Sequence, residues 1–89
     1  MRFYLDIPDT CLHGYASVWT GESSVTDVAV YDGEKIAAHL MTEGLSREEA
    51  EEHISFNMVG AYIGPDQPII MWPAPPEVVQ DIADTLAQM

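Results

Sequence analysis

The stretch YDGEKIAAHLMTEGLSREEAEE, residues 31–52, carries the strongest structural signals in the sequence. Asp32 is a typical N-cap residue, because its carboxylate can accept hydrogen bonds from the free N–H groups of a first helical turn. Gly44 suits the left-handed position that follows a helix. Ser46 and Glu49 have the spacing of a capping box, which begins a second helix. The stretch therefore predicts an αα-hairpin whose two helices meet at residues 44–46.

The second predicted helix covers residues 47–59 and ends at Gly60. Its buried side is formed by every fourth residue, namely Ala50, Ile54 and Met58. Asn57 lies on the same apolar side, and two interpretations of its amide remain open. It hydrogen-bonds free carbonyl groups or the turn that follows, or it contacts a ligand or partner.

Extended segments are predicted on both sides of the hairpin. Residues 2–7 are rich in β-forming side chains and end at Pro8, and residues 69–72 begin after Pro68. Residues 25–31 have the β-branched content of a third strand. Residues 9–24 fit a helix or a strand equally well, so their structure is left open.

A last helix is predicted from residue 76 or 77 to residue 86, after a proline-rich break. Its core-facing stripe consists of Val78, Val79, Ile82, Ala83 and Leu86. Together these elements predict one α+β domain over residues 1–89, with the αα-hairpin and the C-terminal amphipathic helix packed with a two- or three-stranded sheet. The length of 89 residues and the 47% of hydrophobic residues agree with a single small core.

The charge balance is strongly acidic. The chain has 15 Asp and Glu residues against 3 Lys and Arg, a formal net charge of -12, and no basic residue follows Arg47. Such a charge argues against direct binding to nucleic-acid phosphates or to anionic lipid. No apolar run is long enough for a membrane span. The single cysteine, Cys11, cannot form an intramolecular disulfide, so we expect a reducing compartment, the cytoplasm.

Motifs of catalysis and cofactor binding are weak or missing. The pairs His39/Glu43 and Glu49/His53 have the i, i+4 spacing of two ligands on one helix face, but no HExxH motif or paired Cys/His cluster accompanies them. The Cys11-Leu12-His13 segment has no basic neighbour in sequence to activate the thiol. We therefore predict no metal ligand, no cofactor and no catalytic residue, and do not expect an enzyme.

Two rows of carboxylates are predicted on helix surfaces. Glu48 and Glu52 lie about 6 Å apart along one helix, a distance of the same order as that between adjacent phosphates on a nucleic-acid strand. The predicted partner-binding residues are Glu48, Glu49, Glu52, Glu77, Asp81 and Asp84. An apolar contact group is predicted from Phe56, Val59, Tyr62 and Trp72. The plainer alternatives are a solvated face for the acids and core packing for the apolar group.

The segment from Tyr31 to Gly64 resembles a group of small phage and prophage proteins. The shared pattern is a YD-x-EK helix start, an S-x-EEA-E helix junction and an FN-x-x-GAY-x-G segment, met here at residues 31–35, 46–52 and 56–64. The junction of the group often has methionine where this chain has Leu45. The resemblance implies a phage or mobile-element origin and carries no catalytic residue with it.

These observations predict a phage-type accessory protein that binds a basic surface of a host protein or nucleoprotein complex, in the cytoplasm of the host bacterium. Small acidic phage proteins of this kind include inhibitors of CRISPR complexes and of restriction enzymes, so an anti-CRISPR or DNA mimic is the expected form. A second hypothesis is a structural or assembly protein that forms a homodimer through the apolar contact group. A third is a small metal-binding or hydrolytic enzyme that uses His39, Glu43, Glu49 or His53.

Overall fold

A three-stranded sheet forms one layer of the protein in the computed structural model, which describes residues 1–21, 23–60 and 64–89. Strand β1, Leu12–Trp19, pairs antiparallel with β2, Val25–Asp32. Strand β3, Ile69–Met71, pairs parallel with the other side of β2. The strands predicted at residues 25–31 and 69–72 are thus confirmed to within one residue, and the undecided segment contains β1.

The strand predicted at residues 2–7 is wrong. This segment forms an irregular turn followed by a short 3₁₀ helix, Asp9–Cys11. Only Tyr4 and Ile7 of the segment pack on the core, a spacing of three that suits a turn, whereas a strand would alternate. Its backbone is also held differently, because the Tyr4 N–H donates to the Tyr31 hydroxyl at 2.9 Å instead of to a neighbouring strand.

The first helix of the predicted hairpin is confirmed. Helix α1, Gly33–Thr42, begins at Asp32, whose Oδ1 accepts from the Glu34 N–H at 2.9 Å. It ends at Gly44, which has a φ of 104°. The Gly44 N–H donates to the Met41 carbonyl and the Leu45 N–H to the Leu40 carbonyl, the two hydrogen bonds of a Schellman motif.

The second helix of the hairpin begins at the predicted capping box. The Ser46 hydroxyl accepts from the Glu49 N–H at 3.1 Å, and the Glu49 carboxylate accepts from the Ser46 N–H at 2.9 Å. Helix α2, Arg47–Ile54, then passes into a π-helical turn, Ser55–Val59. The Gly60 N–H donates to the Ser55 carbonyl five residues back, at 2.9 Å. The helical segment therefore ends where predicted, but its last turn is wider than an α-helical one.

The core lies where the helical hairpin, the N-terminal turn and one face of β2 meet. Tyr31 is fully buried at its centre, and its ring lies 5.2 Å from that of Tyr4. The buried cluster consists of Ile7, Cys11, Ala29, Tyr31, Ile36, Ala37, Leu40, Ala50, Ile54 and Met58. The side expected to be buried on the second helix is thus confirmed.

Helix α3, Pro76–Ala87, matches the predicted C-terminal helix. The α+β class, with a helical hairpin, a C-terminal helix and a small sheet, is confirmed. The expected burial of the α3 stripe (Val78, Val79, Ile82, Ala83 and Leu86) is wrong for the single chain, because no residue of α3 is buried. Pro73 and Pro75 fix an extended connection after β3, Pro76 begins the helix, and α3 packs extensively on no other element of the described chain.

No helix in the described part of the chain is long and apolar enough to cross a bilayer.

Candidate acidic interaction surface

Two of the three basic residues are engaged in ion pairs within the chain. The Arg47 guanidinium contacts both carboxylate oxygens of Glu34, at 2.8 and 2.9 Å, and donates to Glu51 at 3.0 Å. Arg2 donates to Asp66 at 2.6 Å. These hydrogen bonds lower the pKa of Glu34 and of Asp66, because they stabilise the ionised carboxylates. The basic side chains therefore neutralise three carboxylates that are not among the predicted partner-binding residues.

The three predicted acids of α2 (Glu48, Glu49 and Glu52, the α2 acidic group) are all exposed. Neither Glu48 nor Glu52 has a hydrogen-bond or ion-pair partner among the described residues. Glu49 also has a structural role, since its carboxylate accepts from the Ser46 N–H. This hydrogen bond lowers the pKa of Glu49. Glu48 and Glu52 are thus the members of the group whose charge is free for another molecule.

The three predicted acids of α3 (Glu77, Asp81 and Asp84, the α3 acidic group) are exposed as well. The Gln80 amide donates to the Asp84 carboxylate at 2.8 Å, a contact that leaves the charge uncompensated. Because helical residues follow one another at about 100°, Glu77 and Asp84 lie on the side of α3 opposite to the α3 stripe, and Asp81 lies at the edge of the stripe, where it lines a shallow hollow with Val78 and Ile82. Glu77 also stands in the first turn, where the helix dipole favours a negative charge.

The two acidic groups stand on helices with different surroundings. Helix α2 packs against α1 and continues into the π-helical turn, whereas α3 packs extensively on no other element. The structure thus presents one acidic group on the body of the protein and one on a projecting helix.

The π-helical turn brings Phe56 beside the α2 acidic group. Phe56 is 75% exposed and lines a shallow hollow together with Glu49, Glu52 and His53. Val59, on the same turn, is 55% exposed. Core packing, the plainer alternative for the apolar contact group, is therefore wrong for these two residues.

The other two members of the apolar contact group are placed differently. The Trp72 indole lies over the start of α1, where a Cβ added at Gly33 would be 2.7 Å from its ring. Tyr62 lies outside the described residues. The structure thus places Phe56 beside the acidic surface of α2, Val59 exposed on the same turn, and Trp72 elsewhere.

Of the two interpretations of Asn57, the hydrogen bond to a free carbonyl group is not found among the described residues, and most of the turn after Gly60 lies outside them. Asn57 is exposed, and its amide nitrogen lies 3.4 Å from the Nδ1 atom of His53. The physical reason is the π-helical turn, whose wider geometry rotates residue 57 away from the face that buries Ile54 and Met58. Asn57 instead lines the hollow beside Phe56.

The residues considered for metal or thiol chemistry come together in pairs at most in the described part of the chain. The His39 Nε2 atom lies 3.1 Å from the Glu43 carboxylate, and in the described part of the chain no three His, Cys, Asp or Glu side chains are grouped to hold a metal ion. Cys11 is buried, and burial raises the pKa of its thiol, which favours the protonated form.

Two features of this surface were not predicted from the sequence. The contact of Arg47 with Glu34 crosses the hairpin, so only its contact with Glu51 follows from the i, i+4 spacing. The hollow beside Phe56 depends on the π-helical turn, for which the sequence has no simple periodic signal.

The fold and the surface together define a small acidic α+β protein with exposed carboxylates on two helices. Comparison with protein-family models, with curated proteins and with solved structures finds no match.

Proposed function

We propose that this protein binds a basic surface of another protein through the α2 acidic group, with Phe56 as the apolar contact at its edge. The observation that carries the proposal is the pair Glu48 and Glu52, exposed and without a partner among the described residues, beside an aromatic ring that is 75% exposed. Aromatic side chains are enriched among the residues that dominate interface energies. Carboxylates around such a ring steer a positively charged partner toward it.

The net charge of -12 supports the same proposal. Each exposed ion pair with a partner adds only about 0–1 kcal/mol, so affinity requires several pairs together with the apolar contact. The larger effect of the charge is on the association rate, which electrostatic attraction raises at low salt. The α3 acidic group adds a second negative surface for a partner that extends beyond α2.

The resemblance to phage and prophage proteins suggests what the basic partner is. We propose a nucleic-acid-binding or defence protein of the host bacterium, met in the host cytoplasm. A protein that binds nucleic acid offers a basic groove, and carboxylates about 6 Å apart along a helix suit such a groove. Occupying the groove in place of DNA or RNA would inhibit the partner.

The test is capture of proteins from a host lysate on the immobilised chain, at low and at high salt. The charge-reversed variant is Glu48→Lys/Glu52→Lys/Asp81→Lys/Asp84→Lys. Its matched control is Asp6→Lys/Glu43→Lys, which reverses exposed acids outside both acidic groups. We expect a captured protein that is released by salt, lost with the charge-reversed variant and kept by the control.

Two further measurements complete the test. A captured protein that binds DNA or RNA should release a labelled duplex when this chain is added. Phe56→Ser should weaken capture at both salt concentrations, because it removes an apolar contact that salt does not screen. Capture that ignores salt and the four charge reversals would contradict the proposal.

A further inference from the structure

The α3 stripe is the largest set of apolar side chains on one element that the fold leaves uncovered. Val78, Val79, Ile82 and Leu86 are between 40% and 62% exposed. The stripe is continuous along one side of the helix, since its residues recur at intervals of three and four. A soluble monomer rarely exposes a contiguous apolar face of this kind unless another molecule covers it.

The whole chain exposes more surface than a compact monomer of its mass. The accessible surface is 6193 Å², whereas a compact monomer of 9.8 kDa has about 5,200 Å². The radius of gyration is 14.7 Å, against about 12 Å for a compact chain of this length. The excess of roughly 1,000 Å² is comparable to the roughly 800 Å² that each partner buries in a standard interface.

Helix α3 also needs external support to persist. A helix of 12 residues is marginal in water on its own, and most helical stability in proteins comes from packing of the apolar face. Pro75 at the N-cap position provides no side-chain hydrogen bond to the first turn. Packing of the α3 stripe on another molecule would supply the missing stabilisation.

The charge pattern of α3 favours a second copy of the chain as that molecule. The Glu77 and Asp84 carboxylates lie on the far side of α3, whereas the Asp81 carboxylate lies at one edge of the stripe, where it lines a hollow with Val78 and Ile82. The opposite edge of the stripe, at Ala83, is uncharged. Two copies with a net charge of -12 each can therefore pack the centres of their stripes together while Asp81 stays at the rim of the contact, and the centre of the stripe offers no carboxylate to a basic partner.

We propose that two copies of this chain form a two-fold symmetric dimer in which the α3 stripes pack against each other. The contact is isologous, which means that both copies contribute the same surface, the α3 stripe. The inference does not depend on the proposed function. The effect of salt distinguishes the dimer from the proposed function. Salt weakens capture of a basic partner, whereas it strengthens an apolar contact between two anionic chains.

The test is the molar mass of the full chain in solution over a range of concentrations, by analytical ultracentrifugation. The disrupting variant is Ile82→Glu, and the matched control is Gln80→Glu, which adds the same side chain to the other side of α3. We expect twice the chain mass for the wild type and for the control. For Ile82→Glu we expect at least about a 100-fold rise in the dissociation constant, because a dimer would bury two new carboxylates.

Folding of the disrupting variant is checked by near-UV circular dichroism, which should be unchanged because the core contains no residue of α3. As a second measurement, Ile82→Cys, at the middle of the stripe, should cross-link between chains with a short thiol reagent, while Gln80→Cys should not. The native Cys11 does not interfere, because it is buried. A wild type that stays monomeric at high concentration would overturn the proposal. So would a dimer that survives Ile82→Glu, or one that is lost with Phe56→Ser instead.

Discussion

Side-chain hydrogen bonds cap the N-termini of both helices of the hairpin. Asp32 accepts from backbone N–H groups of α1, and Ser46 and Glu49 exchange two hydrogen bonds at the start of α2. Each cap satisfies N–H groups that have no partner within the helix. Because the α2 cap uses an ionised carboxylate, its contribution depends on pH.

The Glu49 cap predicts a loss of stability in acid. Its hydrogen bond lowers the pKa of Glu49 in the folded state, so the stabilisation is complete above the unfolded pKa of about 4.3. It is lost as the pH falls through the lower, folded-state value. We expect the difference in unfolding free energy between wild type and Glu49→Gln, measured with urea, to be larger at about pH 6 than at about pH 3.

The matched control for this prediction is Glu48→Gln, in the same helical turn but outside the capping box. The difference in unfolding free energy between Glu48→Gln and wild type should change less between the two pH values. Equal pH dependence in both variants would show that the helix dipole, and not the Ser46 hydrogen bond, is responsible.

Among the elements, the start of α1 and the end of β3 are joined by a close contact of Trp72 with Gly33. A Cβ at position 33 would lie 2.7 Å from two atoms of the indole, too close for the ring to stay in place. We expect Gly33→Ala to destabilise the protein by about 1–3 kcal/mol, as overpacking typically does. The measurement is urea unfolding.

A double-mutant cycle provides the control for this contact. In a Trp72→Ala background the added methyl group meets no ring, so the cost of Gly33→Ala should disappear. The greater helix propensity of alanine should then favour the variant, by up to about 1 kcal/mol. The same cost in both backgrounds would place the conflict in the α1 backbone instead.

Element prediction from the sequence succeeded where the signals are local. The hairpin was predicted because caps, the C-terminal glycine and the apolar period all act within a few residues. Residues 2–7 were mistaken for a strand because β propensity reports a preference for a half-buried surface, and the packing of Tyr4 on Tyr31 decided the outcome. The π-helical turn was not predicted, because the buried residues Ile54 and Met58 are four positions apart, which is also the spacing of an α-helix.

The whole molecule carries more like charge than its fold neutralises. With a net charge of -12 and two arginines already paired, mutual repulsion of the carboxylates opposes the compact state. Salt reduces this repulsion, since the screening length falls from about 30 Å at 0.01 M to about 8 Å at 0.15 M.

We therefore predict that the melting temperature rises with sodium chloride between about 10 mM and 150 mM. A rise of about 4–8 °C would correspond to roughly 1 kcal/mol. The measurement is thermal unfolding of the Ile82→Glu variant, so that association does not contribute. Combining it with the four lysine substitutions of the charge-reversed variant should reduce the rise. A melting temperature that falls with salt would show that the ion pairs of Arg47 and Arg2 outweigh the repulsion.

At the scale of the whole molecule, the sequence predicted which helix faces are acidic or apolar better than it predicted which of them are covered. The acids of α2 and α3 could be placed on helix surfaces from their spacing alone. Whether the α3 stripe meets the sheet or stays uncovered could not, because a 3.6-residue period shows that a face is apolar and not what covers it. The exposure of Phe56 likewise follows from the width of one turn.

The parallel pairing of β3 with β2 bears on the order of folding. Strands β1 and β2 are neighbours in sequence and can form a hairpin early, whereas the whole helical hairpin separates β2 from β3. Closing that long loop costs conformational entropy. Only the three residues of β3 make the sheet contacts that offset this cost. The amides of β3 should thus be the last in the sheet to gain protection from hydrogen exchange during refolding, and the first to lose it when the chain opens locally.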